Sequence, residues 1–516
     1  MHNHTYHYLQ RCSLSFACVL LCLCFGCQTI KPTMQGEYIR PGLSRDWHVL
    51  FEESQQSIAK GMTEDKIPGL SIALVDREGL IWSAGFGHTD YDLKTPVTPD
   101  TIFSIQSMSK TFTATLIMFA VQEGLVDLDT PITKYLPDFK VKSRFEENPQ
   151  EKMTLRHLLS HTAGFVHEAP VGNNYERKFP SFEAHIRSIS DTWLKFPVGA
   201  KYSYSNLGVD LAAYIIQIRT GRSFGEYMKT KLFDPLDMPN SSVDMEFIRQ
   251  HPNRAIGHTP HIERETLEMP MIGAGGVYTS ARDLAKFVQF HLNWGEAKGH
   301  SVLNKKLIES MSTSSPGLCI GVNPHHSVSA ERYPSVDVND TNCCQLAHGG
   351  GGFGFLSSMS WYPEYGMGLL ILTNSTNHNL QWELLKILAD ELMVKKLVER
   401  KCENTAWKTI IAESEYRSEY QKSDSDTFTP YRRQWKKYTG TYKYLTDWNF
   451  HTYARVALAL GYPELRVKVY KKNGFLEANG DRLDEHIPGV FFTDDGDCLD
   501  FSGPSPLWKG RRIKKK

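Results

Sequence analysis

The chain has 516 residues, too many for one ordinary domain, and its 41% hydrophobic and 22% charged content excludes a disordered or collagen-like protein. Lys+Arg and Asp+Glu balance at 58 each, which removes any general electrostatic reason to expect a nucleic-acid partner. The basic end, Arg511-Arg512-Ile513-Lys514-Lys515-Lys516, reads as a solvated tail.

The first element in chain order lies outside the fold. Arg11 precedes CSLSFACVLLCLCFG, an apolar run too short to span a bilayer but sized for the core of a signal peptide. Cys27 follows Phe25-Gly26, and the segment 1–27 resembles a bacterial lipoprotein signal, in which such a cysteine is lipidated and becomes the new N-terminus. Cys24 stands where leucine is usual and Arg11 is the only firm upstream cation, so a conventional cleaved signal stays open as the alternative. Both readings export the protein, and membrane contact would come through the lipid anchor. Beyond Cys27 only Cys319, Cys343, Cys344, Cys402 and Cys498 remain; this odd number is no disulfide scaffold, and with no C-x-x-C pair among these five there is no zinc signature.

Residues 44–62 place Trp47, Leu50, Phe51 and Ile58 at helical spacing. LSIALVD and GLIWSAGFG read as two strands joined by a short turn at Arg77-Glu78-Gly79. A helix follows, with Met108, Phe112 and Leu116 along one face and Gly124 as its C-terminal cap. From about 127 to 300 the pattern is mostly helical: Thr154 caps TLRHLLSHTAG, LGVDLAAYIIQIRTG is a second helix, and Ser280 with Asp283 opens a third. Strand character returns in FGFLSSMSWYP and GMGLLILTN, before the helix LQWELLKILADELMVKKL. Early and late strands with helices between them predict one α/β (α+β) unit over 44–397, its sheet completed from both chain ends and interrupted by a helical insertion. Residues 398–435 read as a polar linker, and 436–516, with short strands separated by Asn-Gly, Pro-Gly and Asp-Gly turns, as a small all-β domain.

Three patterns carry chemistry. Ser107-x-x-Lys110 sits at the start of the first long helix, where the positive end of the dipole and free N–H groups surround the hydroxyl. Lys110 returns to the same face, and a neutral lysine there could take the serine proton and make it a nucleophile. Ser57-Ile-Ala-Lys60 matches the same four-residue pattern, but lies in the first amphipathic helix, before the sheet begins. Tyr204-Ser205-Asn206, in a loop opening a helix, offers a tyrosinate, stabilised by a nearby ammonium, as general base and an amide for a substrate. His348-Gly349-Gly350-Gly351-Gly352 precedes a strand, and its glycines let backbone N–H groups approach a developing oxyanion. Taken singly, each also reads as ordinary capping, packing or turn chemistry. His157 and His161 are spaced as on a zinc helix, but Leu158 stands where the required glutamate would be.

The order of the three patterns matches the S-x-x-K, S-D-N and K-T-G series of penicillin-recognising enzymes. With TLRHLLSHTAGF, PVGAKYSYSN, FDPLDMPNSS and GAGGVYTSARDLAKF, the chain resembles the class C branch of the serine β-lactamase-like hydrolases over most of 44–375, where Tyr-x-Asn replaces S-D-N. The resemblance implies an antiparallel sheet flanked by helices and appended small β-barrel modules. It also implies Ser107 as nucleophile, Lys110 as its base partner, Tyr204 as general base, and Asn206, His348 and Gly350 as substrate-binding residues. The oxyanion hole would be the N–H groups of Ser107 and Gly351, with no metal or organic cofactor. His348-Gly349-Gly350 replaces Lys-Thr-Gly, which removes a permanent cation and a hydroxyl suited to a substrate carboxylate. That departure favours an esterase or D-amino-acid peptidase over an efficient β-lactamase; a catalytically silent envelope protein on the same fold is the alternative.

Overall fold

The computed structural model describes residues 32–92, 94–173, 180–259, 270–314, 316–326, 343–376 and 378–399. In the C-terminal part it describes 440–444, 466–472, 475–478, 481–487, 490–492, 497–500, 507–508 and 511–515. The signal segment with Cys27, nearly all of the expected linker, and Cys402 lie outside these residues.

The early strands form where the apolar runs placed them. β1 (Met34–Ile39) precedes β2 (Gly69–Asp76) and β3 (Gly79–Gly87), so the sheet begins ahead of the boundary expected at residue 44. β4 (Ile102–Ser104) and β5 (Tyr278–Ser280) make a small ladder that ties the approach to Ser107 to the end of the helical insertion. A short hairpin of β6 (Glu296–Ala297) and β7 (His300–Ser301) follows. The late strands are β8 (Gly321–His326), β9 (Cys343–Gly352), β10 (Phe355–Tyr362) and β11 (Met367–Thr373). One seven-stranded antiparallel sheet runs β1-β3-β2-β11-β10-β9-β8. The two halves of the chain meet at β2 and β11, in a register pairing Leu70 with Thr373 and Ala73 with Leu370.

β2 and β11 are near-continuous apolar runs because helices cover both faces of the sheet. Leu70, Ile72, Leu74, Leu369 and Ile371 pack outward with the helices Arg45–Glu64 and Leu380–Glu399. Ala73, Val75, Leu370 and Leu372 pack inward with the helices Ser109–Gln122 and Ala281–Leu292. The expected caps are present: Thr154 and His157 form a reciprocal box, and the Ser280 side chain accepts the N–H of Asp283.

The Ser109–Gln122 helix departs from a simple apolar stripe, since every residue from Ser109 to Ala120 is buried. A helix at the centre of a large unit has no solvent face, so its polar groups need internal partners. Thr113 Oγ1 donates to the Gly273 carbonyl at 2.7 Å, Thr111 Oγ1 to that of Cys319 at 2.8 Å, and Ser109 Oγ accepts from Val277 N at 3.0 Å. Those bonds splice the helix to the insertion and to the segment that leads into β8.

The C-terminal strands, from Gly440–Tyr444 to Arg511–Lys515, close into an eight-stranded antiparallel barrel. Closure pairs Tyr442 with Lys515, so the basic end is a barrel strand and the reading as a solvated tail is corrected. The pairing joins segments far apart in the sequence, which a local run of charges does not record. The barrel rests against the insertion, where Asp500 accepts from Trp193 Nε1 at 3.0 Å and Asp497 lies 3.0 Å from Lys195 Nζ. Cys319, Cys343, Cys344 and Cys498 are buried.

Candidate active site

The chain entering the central helix makes a tight 3-10 turn, Gln106–Met108. Gln106 holds φ at 49°, a left-handed conformation costly for a non-glycine residue, and its amide donates to Ser104 Oγ at 2.7 Å. This turn presents Ser107 just before the helix begins. Lys110, fully buried, lies one turn on with Nζ 3.0 Å from Ser107 Oγ and 2.8 Å from the Ala274 carbonyl. The same Nζ is 4.9 Å from the centre of the Tyr204 ring. Ser57 and Lys60 share nothing of this: Ser57 Oγ donates back to Glu53 O, and Lys60 faces Glu64 on an exposed helix surface.

Tyr204 and Asn206 arrive on the loop that starts the Asn206–Thr220 helix. His161 clamps that loop at two points. Its carbonyl accepts from Ser203 N at 2.8 Å and its Nδ1 from Ser205 N at 3.2 Å, while its ring lies 4.5 Å from that of Tyr204. The helix Leu155–Leu159 ends before His161, which has φ 58°, so His157 and His161 do not share a helical face. Burial, reinforced by the charge of Lys110, pushes the His161 imidazole down to about 3, so it is neutral with its proton on Nε2. Asn206 is buried and donates through Nδ2 to Glu168 Oε1 at 3.1 Å; the fully buried Glu168 also lies 3.0 Å from His167 Nδ1.

The third wall is β9. Gly350 is required here, since a Cβ would collide with the Ile105 carbonyl at the base of the serine turn. The same carbonyl accepts from Ser357 Oγ of β10 at 2.9 Å, which locks the turn to the sheet. His348, half-buried, has its ring 6.5 Å from that of Tyr204 and its Nδ1 2.7 Å from the Gly349 carbonyl. A carbonyl only accepts, so Nδ1 carries the proton and Nε2 offers a lone pair. Burial, then the neighbouring Lys110, lowers the imidazole to about 4. The pairing of β9 with β8 ends at Ala347, so among the described residues His348–Gly352, including Gly351, have a neighbouring strand on the β10 side only.

A buried network stands behind the lysine. Asp210 Oδ1 accepts from Gly273 N and Ala274 N, each at 3.0 Å, and Oδ2 lies 3.2 Å from His185 Nε2, with both side chains fully buried. Burial pulls His185 down, but the hydrogen bond and charge of Asp210 outweigh it and leave the imidazole raised. The pair therefore fixes the Ile272–Gly275 turn whose Ala274 carbonyl holds Lys110. Sequence reasoning missed His161, Glu168, Asp210 and Gln106. SHTAGFVHEAP carries a signal for the first two, but of its histidines only His161 has a reading from sequence, and that as a metal ligand. Among the described residues, no group of three or more His, Cys, Asp or Glu is arranged to hold a metal ion.

The family model described as Beta-lactamase matches residues 55–391. The chain belongs to the beta-lactamase family. This beta-lactamase family member is 28% identical over 253 residues to Protein flp of Staphylococcus aureus (strain N315), which covers 47% of the chain and 50% of that protein. The chain thus spans about half the length of the curated relatives it matches. Its fold is shared with the octameric penicillin-binding protein homologue from Pyrococcus abyssi, at TM-score 0.56 and 23% identity over 89% of this chain and 95% of that one. A β-lactamase/D-alanine carboxypeptidase from Pseudomonas syringae matches at TM-score 0.53 and 24% identity, over 66% of this chain and 99% of that one. The fold is that of the β-lactamase and transpeptidase group of serine hydrolases.

Proposed function

We propose that the protein is an exported serine hydrolase that forms an acyl-enzyme at Ser107, acting on neutral esters or D-amino-acid amides in preference to β-lactams. One observation carries this reading. Lys110 is fully buried, and its described partners are the Ser107 hydroxyl, a carbonyl and an aromatic ring, none of them an anion. A structural lysine would be paired with a carboxylate; this one is placed to exchange a proton with Ser107. Ser107 Oγ attacks the substrate carbonyl as its proton passes to the neutral form of Lys110, and the tetrahedral oxyanion is met by the N–H groups of Ser107 and Gly351. Collapse expels the leaving group, which takes a proton relayed through Lys110 and Tyr204. Water then attacks the acyl-enzyme, giving its proton to the Tyr204 oxygen as the phenol's own proton moves to Lys110. Collapse breaks the ester bond and Lys110 returns the proton to Ser107 Oγ, while Asn206 holds the amide or ester side of the substrate.

His348 supports the preference. An imidazole held at about 4 is neutral at pH 7 and gives a substrate carboxylate no cation. The Cys27 signal supports export, with a lipid anchor on the envelope as the site of action. The test is Ser107→Ala, which should abolish hydrolysis of p-nitrophenyl acetate and labelling by a fluorophosphonate with the fold intact. Ser57→Ala should leave both unchanged. Ordinary turnover by the Ser107 variant would end this reading and favour a catalytically silent envelope protein.

A further inference from the structure

Gly349 lies on β9 between His348 and Gly350, at the middle position of the third motif. Along a strand, side-chain directions alternate, so Gly349 points to the face opposite Gly350. On that face stands Trp382, in the first turn of the Leu380–Glu399 helix. A Cβ added at Gly349 would lie 2.9 Å from the Cη2 of the indole and 3.2 Å from its Cζ2. The ring therefore occupies the space that a side chain at 349 would fill. It is also 52% exposed, one of the few large apolar side chains left open to solvent. β9 contains no Lys or Arg, and on the helix the exposed Glu383 and Lys386 both stand within one turn of Trp382. An indole attracts flat apolar groups, and Glu383 offsets Lys386, so no net cation beside it favours a carboxylate.

We propose that Trp382 is a specificity-determining residue, the wall of a subsite beside Gly349 that accepts a flat, uncharged, apolar part of the substrate. Gly349 is glycine because the indole takes its place. This inference rests on the hydrolase reading above and names its substrate class: neutral esters or amides with an aromatic or planar group next to the scissile bond. Such a group, extending from a carbonyl at Ser107 along the open edge of β9, lies against the indole.

The test compares phenyl acetate, its 3-carboxy analogue and methyl acetate as substrates for the full chain. Wild type should favour phenyl acetate over the carboxylate in kcat/KM. Trp382→Ala should lower kcat/KM for phenyl acetate about fivefold, the effect of one lost aromatic contact, and leave methyl acetate unchanged. Trp382→Phe should retain most of the preference, and Trp382→Arg should raise the 3-carboxy substrate selectively. Fluorophosphonate labelling of Ser107 in each variant separates the two claims. If labelling and methyl acetate hydrolysis persist while Trp382→Ala leaves the phenyl-to-carboxyphenyl ratio unchanged, the subsite is wrong and the hydrolase reading stands. If wild type is neither labelled nor active on any ester, both fall.

Discussion

Asp210 offers the sharpest test of how the fold positions Lys110. Asp210→Ala removes three contacts at once: two backbone N–H groups at 3.0 Å and His185 Nε2 at 3.2 Å, all within a fully buried site. Breaking a buried pair from one side costs about 3–5 kcal/mol, because the remaining partner is left unpaired. Asp210→Asn keeps an oxygen for Gly273 and Ala274 and loses the charge; hydrogen bonds to charged groups contribute about 1.5–3 kcal/mol, so the loss should fall in that range. His185 can then shed its proton and accept from the new amide. Freed from Asp210, the Ala274 carbonyl no longer fixes Lys110 Nζ, and a displacement of about 1 Å at a reacting group costs on the order of 100-fold in rate. The readouts are urea unfolding and the rate of fluorophosphonate labelling, each from about pH 5 to about pH 9. The pH dependence has a definite sign. The folded state raises His185, so the pair's contribution is complete below about 6.5 and is lost as pH rises through the folded value. Wild type should show that alkaline decline in stability, and Asp210→Asn should lack it. Wild-type stability and labelling in Asp210→Ala would refute the network.

The remaining predictions concern acid and export. His161 is lowered from 6.5 to about 3 by burial and by Lys110, with His348 and His167 adding to the effect, so its contribution is complete above about 6.5 and declines as pH falls toward 3. The decline should reach at most about 1.4 kcal/mol per pH unit for one proton, and His161→Gln should flatten it by that amount in unfolding measured at successive pH values. An unchanged acid limb would show that the ring does not titrate with folding. Wild-type protein should partition into detergent with acyl mass on Cys27, and Cys27→Ser should give a soluble or uncleaved form by intact mass. An unmodified soluble product starting downstream of Cys27 would remove the anchor.

Strand and helix positions near the site were legible in the sequence because apolar periodicity and capping chemistry are local. The runs at 70–76 and 366–374, the Thr154 and Ser280 caps, and the helix after Tyr204 all depend on neighbours a few residues away. The three motifs were legible through their order along the chain, which survives sequence divergence. Tertiary structure alone decided what surrounds them. Ser57-x-x-Lys60 and Ser107-x-x-Lys110 are equal as strings; one lies on an exposed helix and the other in the buried centre, a difference set by contacts to Ala274 and Tyr204 far along the chain. His161 left its helix through a left-handed residue and turned from a metal candidate into a clamp on the tyrosine loop. The glycine at 349 looked like lost chemistry until Trp382, 33 residues later, was seen to fill its place. The basic end looked like a tail because closure with Gly440–Tyr444 is a pairing between distant segments, and no local pattern of charge records it.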